Sequence, residues 1–428
     1  MLTIIEKQDQ KKFIDRILKR SQMNDEKVIQ TVDIIIKQVK AYGDEALFNY
    51  TRALDGAELT TFRVSDEEMN EAFKSIDPLL LADLKKAMSN IQFYHEKQKI
   101  SSFEYEKEKG IIIGQRVSAI ESVGIYVPGG TAAYPSTVLM NVIPAKIAGV
   151  KRIVMITPPN KQGKINTNIL AAAYLSGVDE IYKIGGAQGI AALAYGTNSI
   201  PKVSKIVGPG NMYVAMAKKM VSGVVGIDMI AGPSEVLIIA DEIANPRYIA
   251  CDLMAQAEHD PSAAAMLITT SKSLAEQVNK MIEEEIKSLS RSEIILTSFK
   301  NFGAILITDN LREAVQITNQ IAPEHLEILT ESDDEIFELI ENAGSIFLGG
   351  YTPEPVGDYF AGPNHTLPTS GTATFSSALS VLDFMKKSSY VRYTKEALLD
   401  AKDSIIRLAE SEQLTAHARS IEVRFRKS

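Results

Sequence analysis

The sequence predicts an α/β protein built on parallel sheets, and two observations carry that expectation. Short runs rich in β-branched residues, "RIVMIT", "EIYKIG" and "KIVGPG", alternate with the helix-like runs "NTNILAAAYLSGV" and "AQGIAALAYG". Strands and helices alternating at this spacing imply crossover connections and therefore parallel pairing. After Pro233 the rhythm starts again, so two α/β runs, roughly 130–232 and 233–350, succeed one another and could be distant structural copies.

In chain order, the first hundred residues read as helices. From Asp25 to Tyr42 the apolar side chains Val28, Val32, Ile35, Ile36 and Val39 share one helical face, which Gly43 closes. "FEYEKEKGIIIGQRVSAIESVGIYV" then moves towards alternation, with a turn at Gly110, and reads as a hairpin. The first α/β run follows. The second holds "VLIIAD", a helix from Pro246 towards Glu258, "AMLITT", the charged helix "LAEQVNKMIEEEIKSL", "GAILIT", "LREAVQITNQIA", "HLEILT", "EIFELIENAG" and "SIFLGG". Residues 350–375, rich in Gly, Pro, Thr and Ser, show little periodicity, and a loop that long is uncommon unless it is functional. The last fifty residues return to helix.

At 428 residues the chain is long enough for two or more domains. A net charge of −8 argues against nucleic acid or an anionic membrane as partner. A single cysteine, Cys251, leaves no internal disulfide and fits a reducing compartment. The first twenty residues scatter Glu6, Asp9 and Asp15 among lysines, unlike a secretory signal, and no apolar run approaches a bilayer's span. A soluble cytoplasmic protein is expected.

Chemistry is expected from a few polar residues. In "DEIANPRYIACDLMAQAEHDP", Asn245 caps a helix, Pro246 suits its first turn and Pro261 stops the helix just beyond His259. Gln256 and His259, three apart, project from one face as half of a metal site, although such a pair alone is more often structural. "TPEPVGDYFAGPNHTLPTSG" brings Asp358 and His365 into a segment whose prolines and glycines exclude helix and central strand. It reads equally as an Asx-type turn with an exposed histidine. In "LAESEQLTAHARSIEVRF", Glu412 and His417 lie five apart and can meet at one site only if a helix begins between them. Gln256, His259, Asp358 and His417 together form an N/O ligand set suited to Zn²⁺, which spacing alone does not close.

Three glycine turns follow strands: Gly129 and Gly130 after Tyr126, Gly185, Gly186 and Gly189 around Gln188, and Gly208 and Gly210 before Asn211. They are either tight strand-to-helix turns or phosphate cradles, and none is the dinucleotide fingerprint. "IAPEHLEILT" sets Glu324 beside His325 at the start of an apolar run. Strand neighbours point to opposite faces, so one cavity can use both only at the strand's end.

These strings resemble the histidinol dehydrogenase family. "GIYVPGG", "GGAQGIAALAYGT", "VGPGN", "AGPSEVLIIAD", "QAEHDP", "APEHLEI", "GDYFAGPNHTLPT", "FSSALSVLDF" and "LTAHARS" are similar to that family's motifs, in its order, over about residues 120 to 420. The resemblance implies oxidation of L-histidinol through L-histidinal to L-histidine, the last steps of histidine biosynthesis, with two NAD⁺ consumed. It implies one Zn²⁺ per subunit on Gln256, His259, Asp358 and His417. Ser234, Gln256, His259, His325, Asp358, His365, Glu412 and His417 are implied to bind substrate, and Tyr126, Gln188 and Asn211 to bind NAD⁺. His325 is the implied alcohol base and Glu324 the implied water-activating base. A homodimer is implied in which Glu412 and His417 come from the other subunit.

The implied fold is two incomplete Rossmann-like parallel-sheet domains with small helical N- and C-terminal segments. On this chain that places a helical arm at 1–20, an active-site domain at 21–129 and 233–379, an NAD-side domain at 130–232, and a helical tail at 380–428. A zinc hydrolase or a zinc-stabilised scaffold would leave the Glu-His pair and the glycine turns without work.

Overall fold

The computed structural model describes residues 1–20, 26–129 and 133–426. Asp25, expected to open a helix, and Gly130, expected in a glycine turn, lie outside them. The strands are β1 (Thr3–Ile5), β2 (Phe103–Glu108), β3 (Ile111–Ala119), β4 (Ser122–Tyr126) and β5 (Arg152–Thr157). Next come β6 (Glu180–Lys183), β7 (Lys205–Val207), β8 (Gly226–Ile227), β9 (Glu235–Ala240) and β10 (Ala264–Thr269). The last four are β11 (Ala304–Ile307), β12 (His325–Leu329), β13 (Ser345–Leu348) and β14 (Met385–Tyr393). The chain forms two units, residues 1–98 with 120–384, and residues 99–119 with 385–428.

In the first unit two sheets run in the orders β6-β5-β4-β7-β8 and β1-β11-β10-β9-β12-β13. Every strand pair in both is parallel. Without the extra edge strand β1, the two orders are the same. The first strand is central, the next two lie on one side, and the last two on the other. Each sheet therefore has a switch point, between β4 and β7 and between β9 and β12.

Strand β9 shows why the apolar runs read as continuous. Val236, Ile238 and Ala240 join a core with Ile249, Leu253, Leu274 and Phe299. Leu237 and Ile239 join the opposite core with Phe13, Ile14, Val315 and Ile321. A strand covered on both faces is apolar at each position instead of alternating.

The packing divides the chain differently from the expected domains. Val28, Val32, Ile35, Val39, Leu47 and Phe62 pack with Val154, Ile156, Tyr182 and Ile190 of the five-stranded sheet's layer. β4, which precedes residue 130, is that sheet's central strand. The helices Glu26–Tyr42 and Asp44–Tyr50 and β4 thus belong with 133–232, because their apolar residues are buried there, whereas Phe13 and Ile14 of the arm join the six-stranded sheet's core. The arm is also more than helix. It opens with β1, paired to β11, and then forms the helix Lys7–Arg20.

The second unit contains the expected hairpin at Gly110, with β2 and β14 flanking β3 in antiparallel register. Its later part holds the helices Lys395–Ser411 and Thr415–Glu422. The tail was expected to be helical throughout, but residues 385–393 form β14, a strand whose side chains are nearly all exposed. Among the described residues no helix is long and apolar enough to cross a membrane.

Candidate active site

Glu324 and His325 sit where the helix Leu311–Ile321 has ended in a left-handed residue, Ala322 (φ 50°). Main-chain bonds pin the segment, since the N–H groups of Gly344 and Ser345 donate to the carbonyls of Pro323 and Glu324 at 2.8 Å each. His325 is the first residue of β12 and lies beside Val236 of β9. The pair therefore occupies the amino end of its strand, opposite to the usual rule for α/β crevices.

The neighbouring strand orients both side chains. Glu324 Oε2 accepts the N–H of Glu235 at 2.9 Å. His325 Nδ1 lies 3.1 Å from the carbonyl oxygen of Glu235. A carbonyl only accepts, so the ring proton sits on Nδ1 and Nε2 keeps its lone pair. That Nε2 is buried without a hydrogen-bond partner. It faces Asp358 Oδ1 at 3.8 Å and Glu354 Oε1 at 3.9 Å.

Burial sets the proton affinities. It pulls the His325 imidazole down to about 4, so the ring is neutral at pH 7 and a weaker base than an unperturbed histidine. It pushes the Glu324 carboxyl well above the ordinary carboxylate range. Glu354 is likewise pushed well above that range by burial, with Asp358 adding to the effect. Behind them Glu327, raised by burial and by Asp252, accepts the N–H of Glu354 at 2.9 Å.

Candidate metal ligands converge from two elements. Asn245 accepts the Arg247 N–H, and Pro246 opens the helix that ends at Ala257. Gln256 lies in its last turn and His259 two residues past its end, with the His259 N–H donating to the Gln256 carbonyl. Gln256 is 0 % exposed, and neither polar atom of its amide has a partner. Ligand atoms of His259, Glu354 and Asp358 lie within 4.8 Å of one another.

Glu354 was not anticipated. The segment around it, expected to exclude helix, forms a helical turn at Glu354–Val356 that runs into a wider turn at Gly357–Ala361. Proline is compatible with a helix's first turn, whose N–H groups have no partner within the helix. The signal was there to read, because Glu354 precedes Asp358 by four and so shares its face.

The other expected residues divide. His365 Nδ1 donates to the Asp358 carbonyl at 2.9 Å, and its Nε2 meets Thr137 Oγ1 at 3.2 Å. Asp358 and His365 also line a cavity of about 110 Å³. Ser234 is half-buried immediately before Glu235. Glu412 and His417 belong to the second unit and are exposed. A helix does begin between them, at Thr415. His95 is a core histidine satisfied by Gln98 and Asn364.

The expected cofactor residues gather at the carboxyl ends of the other sheet. Tyr126 ends β4, and its hydroxyl accepts the Gly186 N–H at 3.3 Å. Burial pushes that phenol up to about 12. Gly208 follows β7 with φ 111°, and a Cβ there would stand 2.2 Å from the Tyr126 carbonyl oxygen. Gln188, in the first turn of the helix Gly186–Tyr195, is 1 % exposed with Oε1 unpartnered. Asn211 is exposed and caps the next helix through the N–H groups of Tyr213 and Val214.

The family model described as Histidinol dehydrogenase matches residues 18–425. The chain is 54% identical to the histidinol dehydrogenase of Clostridium acetobutylicum over 98% of its own length and 97% of the relative's. It is 56% identical to that of Bacillus cereus over 94% and 93%. A crystal structure of histidinol dehydrogenase from Elizabethkingia anophelis superposes with a TM-score of 0.92 at 38% identity, covering 99% of this chain and 98% of that one. Sequence and fold agree over nearly the full length, and the chain belongs to the histidinol dehydrogenase family, an oxidoreductase acting on histidinol.

Proposed function

We propose that this chain performs the zinc-dependent, NAD⁺-linked, four-electron oxidation of L-histidinol to L-histidine through L-histidinal, in the cytoplasm, as the last steps of histidine biosynthesis. We further propose a homodimer in which the tail of one copy supplies Glu412 and His417 to the site of the other. The observation that carries the proposal is the protonation geometry of His325. Its Nδ1–H is committed to a carbonyl, and its free Nε2 faces the cluster of candidate ligands.

Zinc fits the residues present. The buried amide of Gln256 has no partner, and ligand atoms of His259, Glu354 and Asp358 converge, giving N/O donors without a thiolate. Gln256, His259, Asp358 and the tail's His417 would hold the ion, with Glu354 close enough to join. When bound, it would fix the amine and imidazole of histidinol and so orient the carbinol. NAD⁺ fits the switch point between β4 and β7, where Tyr126, the helix start at Gly186 and the unpartnered Gln188 oxygen meet, and it would accept one hydride in each oxidation. Asn211 stands at the next helix start and would contact it there.

The chain's own part is proton transfer. His325 Nε2 takes the hydroxyl proton as the alcohol becomes the aldehyde. Asp358 and Glu354 steady the imidazolium, which offsets the weakness of a buried histidine as base. Glu324, with its raised proton affinity, takes a proton from the water whose oxygen bonds to the aldehyde carbon. His325, having released the first proton to water, then accepts a second from the resulting hydrate. Ser234 and His365 would hold the substrate.

Half-reactions separate these roles. His325→Asn lowers both oxidations with zinc content unchanged, whereas Glu324→Gln lowers the second more than the first. Equal loss in both steps of Glu324→Gln would defeat the division of labour.

A further inference from the structure

Glu235 is in contact with both residues assigned to proton transfer. Its N–H holds Glu324 and its carbonyl holds the Nδ1–H of His325. Its side chain reaches the loop that follows Asp358 and His365, where Oε1 accepts the Ser370 N–H at 2.8 Å. Oε2 pairs with Arg20 Nη2 at 2.5 Å, and the two side chains are only 1 % and 3 % exposed. Arg20 also donates to the carbonyls of Pro233 and Ser262, at 3.0 Å and 3.1 Å, so it grips the chain just before β9 and just before β10.

A buried ion pair is a poor route to stability, because desolvation of both charges offsets their attraction, and apolar replacements often do as well. It does give fixed geometry. The carboxylate of Glu235 receives donors from two directions and offers none. A glutamine of the same size would turn its amide hydrogens towards either Arg20 or Ser370.

We propose that Arg20 and Glu235 form a positioning pair, which anchors the start of β9 so that its main chain holds His325 in the Nδ1–H form and Glu324 in register beside it. Neither residue touches the reacting atoms. The proposal rests on the reading that His325 and Glu324 transfer the protons.

The test uses the zinc-loaded full-length enzyme. Glu235→Gln lowers kcat by about ten- to a hundredfold, as loss of an orienting partner does. KM for histidinol stays within about threefold and zinc content is unchanged, since ground-state binding is untouched. Ring ¹⁵N spectra supply a readout that a merely structural role would not move. With five histidines in the chain, the His325 signals are assigned by their loss in His325→Asn. In Glu235→Gln they shift from the Nδ1–H form towards a mixture of tautomers. If Glu235→Gln does not fold, Arg20→Lys decides. It keeps the charge but not the fork, and its kcat falls in step with its Nδ1–H population. A folded variant with kcat and tautomer unchanged, or one that only melts earlier, overturns the pair's role. An active His325→Asn would instead overturn the reading beneath it.

Discussion

Glu354 Oε1 lies 3.9 Å from His325 Nε2, with both side chains buried, and Glu354 precedes Asp358 by four residues. That places a carboxyl beside both the candidate base and the candidate ligands His259 and Asp358. Glu354→Gln keeps the size and shape of the side chain and removes its capacity to ionise beside a cation. Zinc retention against a competing chelator should weaken by about ten- to a hundredfold, while the metal-free protein melts as the unaltered one does. Unchanged retention would place Glu354 outside the metal's shell.

The orphaned amide of Gln256 predicts a reversal between two states of the protein. A buried polar group without a partner costs about 1–3 kcal/mol. Gln256→Leu should therefore leave the metal-free protein as stable or more stable in urea titrations. The same substitution should abolish the extra stability that added zinc confers. Clear destabilisation of the metal-free form would mean the amide has a structural partner.

Gly208 combines a positive φ with the closest backbone approach at the β4/β7 switch point. Gly208→Ala should raise KM for NAD⁺ while zinc content is unchanged, because the clash pushes Tyr126 and the turn apart. Gly223, also at positive φ (96°) but with nothing within 4 Å of an added Cβ, isolates the conformational cost. Gly223→Ala should lose only about 1–3 kcal/mol of stability and leave that KM unchanged. Equal KM values in the two variants would separate the crevice from cofactor binding.

These residues show what the sequence could and could not express. "RIVMIT" coincides with β5, and "VLIIAD", "AMLITT" and "GAILIT" fall within one or two residues of β9, β10 and β11. Strands buried on both faces carry a strong local signal. β1 and β14 carry none: Thr3–Ile5 is ordered by β11 some three hundred residues away, and "MKKSSYVRY" is an exposed strand held through main-chain pairing to β3. At the site, Glu324, His325, Gln256, His259 and Asp358 stood out by residue type and spacing. Glu354 stood four residues before Asp358 but between two prolines, which read as loop, and Arg20 and Glu235 act through partners far away in the chain.

The most direct measurement is the stoichiometry of the zinc-loaded enzyme supplied with histidinol and excess NAD⁺. Two NADH formed per histidinol consumed, with histidine as the product, is the predicted result. One NADH per histidinol, with histidinal accumulating and no histidine formed, would contradict a site that carries out both oxidations.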